Sequence, residues 1–167
     1  MAVEIGALYR AHAAGVWRYA RARLPSDADA EDVTSEVFTR AMRSLDRFDP
    51  AKGTETAWII GIARHAVADW WRRRRPEDPA PSLQDPAAGV SEWTDHPGEH
   101  AERADAATGL LRHLGVLSER EHEAVALRFG AELSSPEIGA AMGISSTAAR
   151  MLVHRGVSKL REVIDHD

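Results

Sequence analysis

The chain has 167 residues, enough for one ordinary domain or two small helical ones. With 44% hydrophobic and 28% charged residues it has the composition of a folded globular protein, and the absence of cysteine excludes disulfides, thiol catalysis and thiolate metal sites. The net charge of -5 argues against a polyanion partner only until it is divided along the chain: the acidic excess lies in residues 76–106, while the segment before it ends in Arg72, Arg73, Arg74 and Arg75.

From residue 3 to 24, Ile5, Leu8, His12, Val16 and Ala20 recur at the spacing of one helical face, and Pro25 stops the run. Ser26 followed by Asp29 is an acidic relative of the capping box, and Ala30, Val33, Val37, Ala41 and Leu45 form a second stripe. Residues 46–56 read as a loop by their turn chemistry. A third helix, 56–75, carries Ile59, Ile62, Ala66 and Trp70 on one side. Residues 76–106 hold most of the prolines and no sustained apolar period, which makes them an extended linker. Beyond it, Leu110, Leu111, Leu114 and Leu117 suggest a short helix. Ser118 with Glu121 is a full capping box opening a helix through Val125 and Phe129, and Ser134 with Glu137 is another. Gly143 ends that helix, Ser145 caps the last one, and Ala149, Val153, Gly156, Val157, Leu160 and Ile164 give it an apolar face. The expected fold is all-α: two small helical domains, 1–75 and 107–167, joined by the acidic linker 76–106.

A short helix over 134–142, a turn over 143–145 and a longer helix over 146–163 have the shape of a helix-turn-helix. If Ala149, Val153 and Val157 face inward, Ser146, Thr147, Arg150, Met151, His154 and Arg155 project outward toward major-groove base edges, with Arg150 the leading contact. Arg155, Lys159 and Arg161 are better placed for phosphates. A generic helical hairpin with a solvated charged face would show the same spacing. In the first domain, the second helix turns Glu31, Asp32, Ser35, Glu36, Thr39, Arg40 and Arg43 away from its stripe. On charge pattern alone this is an ordinary solvated face held by pairs such as Glu36 with Arg40. The third helix places Trp58, Trp70 and Trp71 beside Arg64, His65 and the arginine run. Such a mixture suits unpaired bases and their backbone, although Trp58 and Trp70 are also natural core residues.

The run DAEDVTSEVFTRA at 29–41, then Arg47 with Phe48, Ala57 with Trp58, and Ile62 with Ala63 and Arg64, resembles region 2 of extracytoplasmic-function sigma factors, a group of the sigma-70 family. LSERE at 117–121, LRF at 127–129, Glu137 with Ile138, MGIS at 142–145, and His154 with Arg155 resemble region 4. The resemblance covers both domains in order and leaves only the linker unmatched. It implies that the polar face of the second helix docks on core RNA polymerase through Asp32, Glu36, Arg40 and Arg43. It implies that the melted minus-ten element is held by Lys52, Thr54, Arg64 and His65, and that the helix beginning at Ser146 enters the major groove of the minus-thirty-five element. This sequence departs from the family where Ile60 and Gly61 replace a polar or basic pair, His65 an asparagine and Ser35 a glutamine. It also has Met151 and Leu152 where Ser and Arg are common, a loss of phosphate anchoring or the gain of an apolar surface for a regulatory partner such as an anti-sigma factor.

A helix-turn-helix regulator acting without polymerase is the competing function. It would need no single-strand surface. An enzyme is not expected: Ser118 and Ser145 read as caps rather than nucleophiles, and no glycine-rich phosphate loop appears. His96 and His100 have helical spacing beside Glu99 but lack a convincing third ligand, so neither a metal nor a cofactor is expected. No apolar stretch could span a bilayer, and the first nine residues carry Glu4 without a basic run, so the expected location is the cytoplasm without membrane insertion.

Overall fold

Leu8, Val16, Tyr19 and Ala20 lie buried along one side of α1 (Ile5–Arg23), the first helix of a computed structural model that describes residues 3–74 and 111–167. The helix ends before Pro25, where Arg21 holds the corner: its Nη1 donates to Leu24 O at 2.9 Å and its Nε to Asp27 Oδ1 at 2.6 Å. Ser26 Oγ then accepts from the Asp29 amide, capping α2 (Asp27–Ser44), whose buried face is Ala30, Val33, Thr34, Val37, Phe38 and Ala41. A 3-10 turn, Leu45–Arg47, leads into the loop. Thr54 accepts from the Ala57 amide at 3.1 Å and opens α3 (Glu55–Arg74), one residue earlier than its sequence pattern suggests. Ile59, Ile60, Ala63, Ala66, Val67 and Trp70 are its buried side.

After residue 111 the chain is helical to 113, makes a 3-10 turn at Leu114–Val116 and enters α4 (Glu119–Val125) through a complete capping box between Ser118 and Glu121. The α-helix does not run on through Phe129 as its period suggests. It widens into a π-helical turn, Ala126–Gly130, which buries Leu127 and leaves Phe129 55% exposed. Glu132, in a left-handed conformation at φ 59, turns the chain so that Leu133 is buried. The second capping box is also complete and starts α5 (Ser135–Met142). Gly143 at φ 68 supplies the left-handed corner that a side chain would strain, and Ser145 caps α6 (Ser146–Ile164), which buries Ala149, Gly156 and Leu160.

The described residues contain helices and no strand. Buried side chains of α1, α2 and α3 form one continuous core with Ala124, Ala126, Leu127, Leu133, Ile138 and Ala149, so the last three helices sit directly on the first three. Among the described residues no helix is long and apolar enough to cross a membrane. The linker of 76–106, with Trp93, His96 and His100, lies outside the described residues.

Candidate nucleic-acid interface

The turn at Gly143 sets α5 and α6 as a helix-turn-helix, and the inward side of α6 fixes what its outer side presents. With Ala149 and Gly156 buried, Thr147, Arg150, Met151, His154 and Arg155 form an exposed stripe, and Ser146 is half-buried at its start. Neither Arg150 nor Arg155 has an ion-pair partner among the described residues. Lys159 is different: its Nζ donates to Glu121 Oε2 at 2.7 Å, so a residue suited by spacing to phosphate instead ties α6 to α4. That hydrogen bond, with those from Ser118, holds the Glu121 carboxyl below its usual range. Leu152 is half-buried against the core, so the apolar pair read from the sequence divides: Met151 faces solvent, Leu152 faces inward.

On the first three helices, Asp32 and Arg43 are exposed, while Glu36 and Arg40 belong to a network between α2 and α3. Arg40 donates to Glu36 and pairs with Asp69 at 2.9 Å; Arg73 reaches Glu36 at 3.3 Å and Arg72 reaches Asp69 at 2.9 Å. Desolvation pushes the Glu36 carboxyl up, but hydrogen bonds from Arg40 and Arg73 outweigh it and leave it below its ordinary value. The hydrogen bond from Arg40 likewise holds Asp69 down. A shallow depression lined by Arg40, Asp69, Arg72 and Arg73 marks the place. The three tryptophans of α3 are packed rather than offered for stacking. Trp58 lies 5.2 Å from Phe48, Trp70 meets Trp71 edge-on at 4.8 Å with Arg74 over its ring, and Trp71 Nε1 donates to Arg23 O at 3.1 Å.

Lys52, Thr54 and His65 are exposed and Arg64 is half-buried, and of the four Arg64 and Thr54 are bonded to the last three helices. Arg64 Nε donates to Glu123 Oε1 at 2.8 Å and its Nη1 to Ala141 O; Thr54 Oγ1 donates to Glu137 Oε1 at 3.0 Å. The same Glu123 carboxylate accepts from Tyr19 Oη at 2.9 Å and lies 3.0 Å from Arg23 Nε. Next to it, His122 Nε2 meets Ala22 O at 2.5 Å. Burial, reinforced by the Glu123 charge, pushes the Tyr19 hydroxyl well above its usual value. Burial and the neighbouring Arg23 charge lower His122 to about 4, so its ring is neutral and donates from Nε2.

Two family models match the chain in order: sigma-70 region 2 over residues 8–77, which spans α1–α3, and sigma-70 region 4 over 113–162, which spans α4–α6. The chain belongs to the extracytoplasmic-function group of the sigma-70 family. This sigma factor is 35% identical over 94% of its length to RNA polymerase sigma factor CarQ of Myxococcus xanthus, covering 87% of that protein. It is 32% identical over 89% of its length to the ECF RNA polymerase sigma factor SigD of Mycobacterium tuberculosis, covering 71% of it. The fold is that of the sigma factor RpoE solved with the anti-sigma factor NepR from Bartonella quintana. That likeness has a TM-score of 0.71 and 19% identity over 95% of each chain.

The sigma factor thus gathers the six sequence-picked residues of α6 on one face, and separates the four of the loop and α3 into a free pair, Lys52 and His65, and an engaged pair, Thr54 and Arg64. Arg64 is half-buried because the buried Glu123 carboxylate is within its reach. Sequence reading missed Tyr19, Arg23, His122 and Glu123. Tyr19 was detectable as the position three after Val16 on the buried face, but the other three are polar and carry no pattern that separates them from solvent-facing residues.

Proposed function

We propose that this chain binds core RNA polymerase, reads the minus-thirty-five and minus-ten elements and so directs transcription initiation, working in the cytoplasm and without catalytic chemistry of its own. The ordered match to regions 2 and 4 carries this reading. In it, residues 1–75 form the polymerase and minus-ten domain, 76–106 the linker and 107–167 the minus-thirty-five domain. The stripe Ser146, Thr147, Arg150, Met151, His154 and Arg155 is the major-groove face, with phosphates positioning the helix and base edges specifying the site. Asp32, Glu36, Arg40 and Arg43 meet the polymerase. Lys52, Thr54, Arg64 and His65 meet the melted strand. Control by an anti-sigma partner belongs to the same reading, supported by solved proteins of this fold: RpoE with NepR, and CnrH with the cytosolic domain of CnrY.

The test is run-off transcription with sigma-free bacterial polymerase and genomic promoter fragments. New transcripts that need both the protein and the core enzyme are expected. Site protection by the protein alone, with no transcript, would replace this reading with that of a simple helix-turn-helix regulator.

A further inference from the structure

Arg40 is held from two helices at once. Its Nη2 donates to Glu36, one turn back on α2, and lies 2.9 Å from Asp69 Oδ2 on α3. A guanidinium carries five N–H donors in a rigid plane, so one nitrogen meets both carboxylates while the Nε and Nη1 donors have no protein partner among the described residues. The side chain keeps 31% of its surface open to solvent. Its head is therefore fixed at one corner and available along the rest.

Asp69 shares itself in the same way, with Oδ2 on Arg40 and Oδ1 on Arg72 at 2.9 Å, and Glu36 places Oε2 on Arg73 at 3.3 Å. Arg72, Asp69, Arg40, Glu36 and Arg73 thus form an unbroken chain of alternating sign across α2 and α3. Half-exposed pairs of this kind add little to stability. What they change is freedom: a long side chain that is loose before docking must be frozen by its partner, and one already held is not. A single pair on its own helix would let the Arg40 head swing about Glu36, whereas a second carboxylate from another helix fixes its direction.

We propose that Asp69 is a positioning residue for polymerase docking: reaching across from α3, it fixes the Arg40 guanidinium of α2 so that the Nε and Nη1 donors are ready for an acceptor oxygen of the core enzyme. Asp69 acts through Arg40 and makes no contact with the polymerase itself. The role rests on the sigma-factor reading above, in which Arg40 meets the core enzyme.

A double-mutant cycle on the full-length protein, read by biolayer interferometry against immobilised sigma-free polymerase, tests it. Asp69→Asn keeps the shape and removes the charge. It is expected to weaken core binding about two- to tenfold, the range set by freezing one long side chain on docking, while the melting temperature moves by less than about 4 °C. If Asp69→Asn melts lower than that, Asp69→Ser takes its place in the cycle. Arg40→Gln removes the contact itself and is expected to cost more. In the Arg40→Gln background, the change at Asp69 is expected to alter core affinity no further. A residue that merely stapled α2 to α3 would not behave so, because its loss would still disturb Asp32, Glu36 and Arg43. Losses that add, a change at Asp69 that leaves core binding intact, or Arg40→Gln binding as tightly as wild type each overturn the positioning role. Wild-type protein that does not bind the core enzyme at all would remove the sigma reading itself, and this role with it.

Discussion

His122 makes the packing of α4 on α1 sensitive to mild acid. Its side chain is 1% exposed, its Nε2–H is spent on Ala22 O, and burial with the Arg23 charge lowers its pKa from 6.5 to about 4, against the opposing charges of Glu119 and Glu123. The sign follows from proton counting. Between pH 6.5 and 4 the exposed imidazole of the unfolded chain binds a proton that the packed one refuses, so stability falls as pH drops through that window. From pH 7 to pH 5 the two pKa values give a loss of about 2 kcal/mol. That is roughly 4–8 °C in Tm for a chain of this size. Urea titrations at both pH values, on the wild type and on His122→Gln, measure it. The carboxylates held low by their partners, Glu36, Asp69, Glu121 and Glu137, lose their contribution only below about pH 4.5, outside this comparison. Wild type and variant losing the same stability between pH 7 and 5 would show that His122 is not the group responsible.

Arg150→Ala should leave stability within about 0.5 kcal/mol, because the side chain is exposed, yet weaken upstream promoter recognition about ten- to a hundredfold. Footprints of holoenzyme on wild-type and altered upstream elements check it. Charge reversal at Asp32 should reduce core-polymerase binding in a pull-down without shifting the melting curve. The same change at Glu36 should do both, since it places a cation against Arg40 and Arg73. Ile138→Ala, at a fully buried position of α5, should cost about 2–5 kcal/mol in denaturant titration and weaken duplex binding by loosening the helix-turn-helix.

Local rules carried most of the fold. Both capping boxes, the caps at Ser26 and Ser145 and the left-handed corner at Gly143 sit where short-range chemistry places them, because each is decided by neighbours a few residues apart. The family motifs likewise identified the two regions, and the outward stripe of α6 follows from its inward one. What escaped depends on partners far along the chain. Tyr19 and Glu123 are 104 residues apart, and a glutamate on a helix surface looks the same in the sequence whether it meets water or a buried hydroxyl. Lys159 and Leu152 escaped for a related reason. Helical spacing assigns a side of α6, but the reach of a lysine to Glu121 and the depth of a leucine against the core depend on neighbouring helices.

The π-helical turn at Ala126–Gly130 has an evolutionary corollary. A π-turn accommodates one residue more than an α-turn, so a single-codon deletion within it would leave a regular helix. Because the extra residue is held within one turn, its loss would leave everything beyond the deletion in phase with α4. The position of Gly130 would stay on the side that faces the backbone of Tyr19, and Glu123, upstream of the deletion, would keep its place. Descendants differing by one residue at this turn would therefore share every motif of the family and dock their halves alike, and alignments scored on identity would record the difference only as a gap.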